Sequence, residues 1–292
     1  MRLGTNAVRS LAFQRRHKRM LYETGLTPVQ QEPLGFWTKR EDLACFVDEA
    51  TPSGAKVRQY AAMIAAAPPE AVLAVGCSAA SAMQIYVAAM GQRLHRPSYI
   101  AVPKRTQMHP CTRWAQEHGA EVLETVPGYP SVFRARIRER MHTLGLTPVP
   151  WDVKAAALDT AEQVANVPQA ARRIVVPNGS GLTAAGIIGG LYLCCRLGRT
   201  EVHLVSTHDS VGTPQQVLTL VSRHFGHMAA LYAKLTWRPQ TMAYHRQMHG
   251  ALADGTLLDP YYAAKAVGYC GEDDVLWITG RRPLASYRAE SG

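Results

Sequence analysis

The chain is 292 residues long, 47% hydrophobic and 18% charged, enough for one large domain or two modest ones with their own cores. Lys and Arg number 32 against 22 acids, a formal charge of +10, more than an enzyme of free amino acids needs. The longest apolar stretch, 61–82, is broken by Pro68-Pro69-Glu70 and is excluded as a membrane helix. The start lacks the apolar core and cleavage site of a secretory leader.

In chain order, Arg15-Arg16-His17-Lys18-Arg19 makes a basic arm in an acid-free start. Lys39-Arg-Glu-Asp-Leu43 is a charged run beside a strand, expected to pair at the surface as structural support. Ser53-Gly-Ala-Lys56 is a small-residue turn that opens a helix. The Lys56 amine is thereby placed to meet an aldehyde such as that of pyridoxal phosphate (PLP), although a solvated helix-start lysine has the same local pattern. Residues 71–75 read as a buried strand ending at Gly76, and 81–90 as a helix stopped by Gly91. A strand at 97–102, a helix at 112–118, a strand at 121–124 and a helix at 132–143 complete a βαβα block. On the last helix Arg134/Arg138 and Arg136/Arg140 are like-charged i,i+4 pairs, which repel unless an anion neutralises them. Such a face attracts polyanions; a solvated basic surface is the alternative.

A second block begins with a strand at 173–176 and passes through a Gly-rich turn into a long helix, 183–197. That helix would bury the vicinal thiols of Cys194 and Cys195. A strand at 201–205 follows, and a last one at 275–278 is closed by Thr279-Gly280. Cys45, Cys77, Cys111, Cys194, Cys195 and Cys270 have no zinc-type or thioredoxin-type spacing, so no metal site is expected and the setting reads as reducing and cytoplasmic. The alternation predicts an α/β fold of two domains, three-layer α/β/α with largely parallel sheets. Residues 1–58 and 160–292 are assigned to a large domain and 59–159 to a small one, with the site between them.

Two turns carry chemistry. In Asn178-Gly-Ser-Gly-Leu-Thr183, Gly179 and Gly181 let backbone N–H groups converge, Ser180 and Thr183 add hydroxyls, and the helix places its positive end behind them. This is an anion nest, or a purely structural strand–helix turn. In Gly76-Cys-Ser-Ala-Ala-Ser81, the amides of Ala79 and Ala80 with the hydroxyls of Ser78 and Ser81 can receive a carboxylate. Small residues there serve close helix–strand packing equally well.

Thr27-Pro-Val-Gln30, Lys39-Arg-Glu-Asp-Leu43 and Ser53-Gly-Ala-Lys-Val-Arg58 resemble the opening segments of PLP-dependent fold-type II enzymes. The nearest branch is that of 1-aminocyclopropane-1-carboxylate deaminase and D-cysteine desulfhydrase. Gly179-Ser-Gly-Leu-Thr183 is similar to its GSGGT phosphate cup, Leu257-Leu-Asp-Pro-Tyr-Tyr262 with Lys265 to its LLDPVY-x-GK segment, and Thr279-Gly280 to its HTGG. The resemblance implies PLP as cofactor and Lys56 as Schiff-base lysine and proton shuttle at Cα. It implies Gly179, Ser180, Gly181, Leu182 and Thr183 as phosphate ligands, Thr279 at the pyridine nitrogen, Tyr262 in the active site and a homodimer. A core tyrosine with a satisfied hydroxyl is the plainer reading of Tyr262.

The chain departs from that family near the substrate. Ala80 stands where the carboxylate loop has Asn, Ala55 replaces the Asn before the lysine, and HTGG has become Thr279-Gly280-Arg281-Arg282. A weakened carboxylate anchor suits decarboxylation, in which the carboxylate stands perpendicular to the cofactor ring. Together with the basic residues Arg15, Arg16, Lys18, Arg19, Arg134, Arg138, Arg281 and Arg282, this leads to a PLP-dependent lyase. Its leading substrate is an amino-acid group attached to thymine in DNA, as in phage DNA hypermodification. The alternatives are a deaminase or desulfhydrase of a free small amino acid, and a non-enzymatic anion- or nucleotide-binding module.

Overall fold

The computed structural model describes residues 25–44, 52–207, 212–239 and 246–283. They form two compact units, a larger one within 25–44 and 152–281 and a smaller one of 52–151 with 282–283.

The chain starts in the larger unit with a hairpin, β1 (Val29–Gln31) antiparallel to β2 (Trp37–Arg40). The charged run that follows does not pair at the surface: Lys39, Arg40, Glu41 and Asp42 are all buried. Burial of Lys39, Arg40 and Asp42 is tolerated because each has a partner. Lys39 Nζ donates to Thr27 O at 2.8 Å and to Asn166 Oδ1 at 2.6 Å, and Arg40 Nη2 meets Asp42 Oδ2 at 2.8 Å.

The smaller unit follows. Helix α1 (Ala55–Ala66) leads to β3 (Leu73–Gly76), α2 (Ala82–Leu94), β4 (Ser98–Pro103), α3 (Pro110–Glu117), β5 (Ala120–Thr125) and α4 (Pro130–Thr143). The three strands lie in the order β3-β4-β5, all parallel. Phe133, Ile137 and Met141, one face of α4, pack with Val72 and Ala101. Gly91 does not stop α2, which runs on to Leu94. A side chain at Gly91 would lie 2.8 Å from Ser98 Oγ, so the glycine serves close approach. The helix ends where His95 takes a left-handed φ of 51°.

Back in the larger unit come α5 (Val153–Glu162), β6 (Arg173–Asn178), α6 (Leu182–Leu193), β7 (Glu201–Ser206), α7 (Pro214–Phe225), α8 (His227–Leu231), β8 (Leu235–Arg238), α9 (Ala263–Ala266) and β9 (Asp274–Ile278). The sheet order is β1-β2-β9-β6-β7-β8, parallel except for β1. Its central strands are buried on both faces, as parallel strands under helices are. Ile174 and Val176 join one cluster with Ile187 and Trp277, while Val175 joins another with Phe36, Leu258 and Leu276. Helices α5 and α6 meet through glycines. A Cβ at Gly186 would sit 2.6 Å from Thr160 Cβ, and one at Gly190 2.5 Å from Ala161 O.

Helix α6 ends earlier than expected, and Cys194 and Cys195 are exposed rather than buried. Cys195 adopts φ 54°, its N–H reaches Tyr192 O at 3.1 Å, and Arg196 N–H closes on Leu191 O at 2.8 Å. This paired closure terminates a helix whatever the hydrophobicity of its last residues. Among the described residues no helix is long and apolar enough to cross a membrane. Nor is any group of three or more His, Cys, Asp and Glu residues placed to hold a metal ion.

Candidate active site

In the smaller unit, Gly54 (φ 153°, ψ 177°) turns the chain into α1, whose first turn contains no acid and whose N-terminus has no side-chain cap. Lys56 lies in that first turn and is half-buried. The turn after β3 lies close to it. Cys77 N–H donates to Ala101 O at 3.0 Å, Ser81 N–H to Ser78 O at 3.0 Å, and Ser81 Oγ caps α2 by accepting from Met83 N at 3.3 Å. Burial pushes the Cys77 thiol up to about 12, against the opposing pull of the Ser81 hydroxyl and the Lys56 charge. Cys77 is therefore a protonated packing residue, and Lys56 sits within electrostatic reach of the turn.

Ala79 and Ala80 are buried. Their carbonyls are taken by buried side chains: Gln84 Nε2 donates to Ala79 O at 2.5 Å, and Arg282 Nη1 to Ala80 O at 2.5 Å and Cys111 Sγ at 3.4 Å. Arg282 thus has no place in an exposed basic patch; its guanidinium is an internal brace. Arg281 is half-buried, Arg134 and Arg138 are exposed on α4, and Arg15, Arg16, Lys18 and Arg19 lie outside the described residues.

In the larger unit, β6 runs into Gly179-Ser180-Gly181 and then α6. Gly181 takes φ 83°, a left-handed conformation costly for other residues, and α6 has no side-chain cap, so its first amides are open to an anion. Ser180 is exposed; Leu182 and Thr183 are half-buried. The turn is fixed from below by Thr207 N–H on Asn178 O at 3.0 Å, and from the side by Asn178 Nδ2 on Gly212 O at 2.6 Å. Gly212 N–H in turn donates to Gln216 Oε1 at 2.8 Å, part of the capping box of α7.

Tyr262 lies over Gly179. A Cβ at that glycine would be 3.5 Å from Tyr262 Cε1 and 3.9 Å from its Oη, so the bare backbone keeps the space beside the ring open. Lys265, one turn further on, is buried and donates through Nζ to Thr207 O at 3.1 Å. Burial pulls its ammonium down to about 8, with Asp259 acting in the opposite direction. Thr279 is half-buried and follows β9, whose Leu276 is in register with Val175 of β6. It thus leaves the same C-terminal edge of the sheet as Asn178, the edge where open α/β folds bind ligands.

Within the smaller unit the structure gathers Lys56, Cys77, Ser81 and the turn between them. Within the larger it gathers Gly179, Tyr262, Thr207 and Lys265 around the start of α6. Gln84 and Thr112 carry no motif in the sequence, and Arg282 reads there only as a basic residue of the altered HTGG segment. The available signal was that the change to Ala80 occurs together with the replacement of HTGG by Thr279-Gly280-Arg281-Arg282.

No protein-family model matches the chain, and no curated protein matches it. Solved structures do. An ACC deaminase homologue superposes with a TM-score of 0.68 at 18% identity, covering 89% of this chain and 90% of its own. Diaminopropionate ammonia lyase of Escherichia coli gives 0.62 at 13% identity, over 96% and 88%. Threonine deaminase isoform 2 of Solanum lycopersicum gives 0.59 at 14%, over 89% and 85%. The fold is the fold-type II α/β architecture that the sequence resemblance implied.

Proposed function

We propose that this chain is a PLP-dependent lyase acting at the Cα of an amino-acid group. The observation that carries the reading is Lys56 in the first turn of α1, within electrostatic reach of the Cys77–Ser81 turn. The residues of the larger unit suit the cofactor. The uncapped start of α6 behind the left-handed Gly181 suits a phosphate dianion, and the space beside Tyr262 is kept by the missing side chain of Gly179. Gly179, Ser180, Gly181, Leu182 and Thr183 would hold that phosphate, and Thr279 would face the ring nitrogen. PLP, when bound, supplies an electron sink for negative charge at Cα. Lys56 would hold the cofactor through its amine and would move the proton at Cα, and Tyr262 bounds the space beside Gly179.

Deamination or elimination on a free small amino acid is supported by the ordered turn at 78–81, whose carbonyls are held by Ser81 N–H, Gln84 and Arg282. A second reading, decarboxylation of an amino-acid group on a thymine base of DNA, is favoured by the exposed Arg134 and Arg138 on α4. Arg136 is paired with Glu139 at 2.9 Å and Arg140 with Glu121 at 3.2 Å, so the acids nearest this face are engaged elsewhere.

The purified protein should acquire the yellow absorbance of lysine-bound PLP, and Lys56→Ala should lose both that band and turnover. Ammonia and a keto acid released from free amino acids support the first reading; carbon dioxide from an aminoacyl-thymine oligonucleotide supports the second. A protein that takes up no PLP leaves only the non-enzymatic binding module.

A further inference from the structure

The C-terminal edge of the three-stranded sheet carries a surface for which lyase chemistry on a free amino acid has no use. Strands β4 and β5 end side by side, with Pro103 in register with Thr125 and Lys104 N–H donating to Thr125 O at 2.8 Å. Beyond them Lys104, Arg105 and residues 126–129 are exposed. Helix α4 starts at this corner. Gly128 sits on its first turn, where a Cβ would lie 3.4 Å from Val132 Cγ2, and Val132 N–H closes on Tyr129 O at 2.9 Å. Arg138 Nε donates to Arg134 O at 3.2 Å, which lays its guanidinium back towards the start of the helix.

Four acids fall between Lys104 and Arg140, and none faces the corner. Glu139 is held by Arg136 and Glu121 by Arg140. Glu117 ends α3 beside the start of β5, at the opposite edge of the sheet. Leu123 packs on the α4 side, so strand alternation turns Glu124 to the other face. Among the described residues no acid pairs with Lys104, Arg105, Arg134 or Arg138. The tip of the same corner is apolar. Val126 and Tyr129 are 78% and 81% exposed, and Tyr129 is extended (φ −73°, ψ 156°) ahead of the proline that opens α4.

Exposed apolar side chains among cations match a polyanion that also presents flat apolar rings. Phosphates alone have no use for the tyrosine, and an apolar protein surface has none for the cations. A duplex keeps its bases stacked inside, so a ring at the tip reaches a base only in a single strand. The corner also adjoins the turn near Lys56: a Cβ at Gly76, the residue before Cys77, would lie 2.5 Å from Arg134 N.

We propose that this corner binds a single-stranded polynucleotide, with Lys104, Arg105, Arg134 and Arg138 on its phosphates and Tyr129 stacked on a base. The inference deepens the DNA reading above and rests on it for the chemistry, because a base must leave the duplex stack before an enzyme can act on it. A strand held at Arg134 lies next to the backbone that carries the Cys77–Ser81 turn.

The test follows the fluorescence anisotropy of a labelled oligothymidylate of about 12 nucleotides with the full chain as salt is raised. Wild type should bind it more tightly than the same sequence in a duplex. Arg134→Gln combined with Arg138→Gln should weaken binding and flatten the slope of log K against log salt by about 0.7 for each charge removed. Tyr129→Ala should weaken the single strand alone, about fivefold to hundredfold, with the slope unchanged. Arg172→Gln, at a side chain 84% exposed in the larger unit, should do neither. Oligouridylate separates RNA from DNA as the source of the strand, and either one bound with both dependences supports the proposal. An unchanged affinity in Tyr129→Ala, a duplex bound as tightly, or an equal loss in Arg172→Gln overturns it. So does polyglutamate bound as tightly as the strand, which would assign the corner to an acidic protein. The absorbance of lysine-bound PLP in the same samples keeps the two readings apart. A protein that binds the strand but takes up no PLP sinks the lyase and keeps the corner; one that takes up PLP but ignores the strand does the reverse.

Discussion

The two small-residue turns are alike in position and opposite in construction. Each follows a parallel strand and opens a helix, one at 76–82 and one at 178–183. The turn at 178–183 is built by the backbone: a left-handed glycine, an uncapped helix start and the Thr207–Asn178 main-chain bond fix it. The turn at 76–82 is aimed by side chains, with Gln84 and Arg282 gripping its carbonyls. A backbone site suits an invariant ligand such as a phosphate. A site aimed by side chains can be redirected one substitution at a time, which suits the part of a molecule that chooses its substrate.

The contrast can be broken most severely at Gly181. Valine there must adopt φ 83° and push a Cβ to within 3.1 Å of Val217 Cγ2. The left-handed conformation alone costs about 1–2 kcal/mol. Gly181→Val should lower the melting temperature and weaken PLP at least about tenfold in a fluorescence titration. The molecules still loaded should retain a preference for alanine over ethylamine, which lacks the carboxylate. The opposite pattern is expected of Gln84→Met: unchanged PLP affinity and a loss of about tenfold for alanine alone, the worth of a single hydrogen bond. A Gln84 variant that sheds its cofactor would mean that the two turns are not separable.

The smallest effect concerns Lys265 beneath the backbone turn. Unfolded, the lysine keeps its proton to its ordinary value of 10.5; folded, it releases it near 8. Between those values the unfolded chain binds more protons, so this residue makes stability rise with pH across that window. Urea unfolding at several pH values should show the rise in wild type, and Lys265→Met should flatten it. A slope unchanged by the substitution would place the titration elsewhere.

The alternation of apolar strands with small-residue turns and amphipathic helices made most of the fold legible, because both signals are local. The β3 to α4 block and the strands β6, β7 and β9 fall close to where the periodicity puts them. What could not be read depends on partners distant in the chain. Lys39 reads as a surface charge until it meets Asn166, 127 residues away, and Arg282 reads as half of a basic pair until it meets Ala80, 202 residues away. The end of α6 is a different failure. Its final residues are as apolar as its middle, and only the left-handed Cys195 with its two closing bonds marks the stop.

The glycine contact between α5 and α6 has a consequence for motion. With Gly186 against Thr160 and Gly190 against Ala161, the two helices meet at backbone distance. A helix seated like this has no slack for rolling or sliding, since any shift drives main chain into main chain. The anion turn at the start of the helix is carried on this fixed seat and is itself tied down by the Thr207–Asn178 bond. Capture and release of an anion there should therefore leave both the helix axis and the backbone of the turn in place.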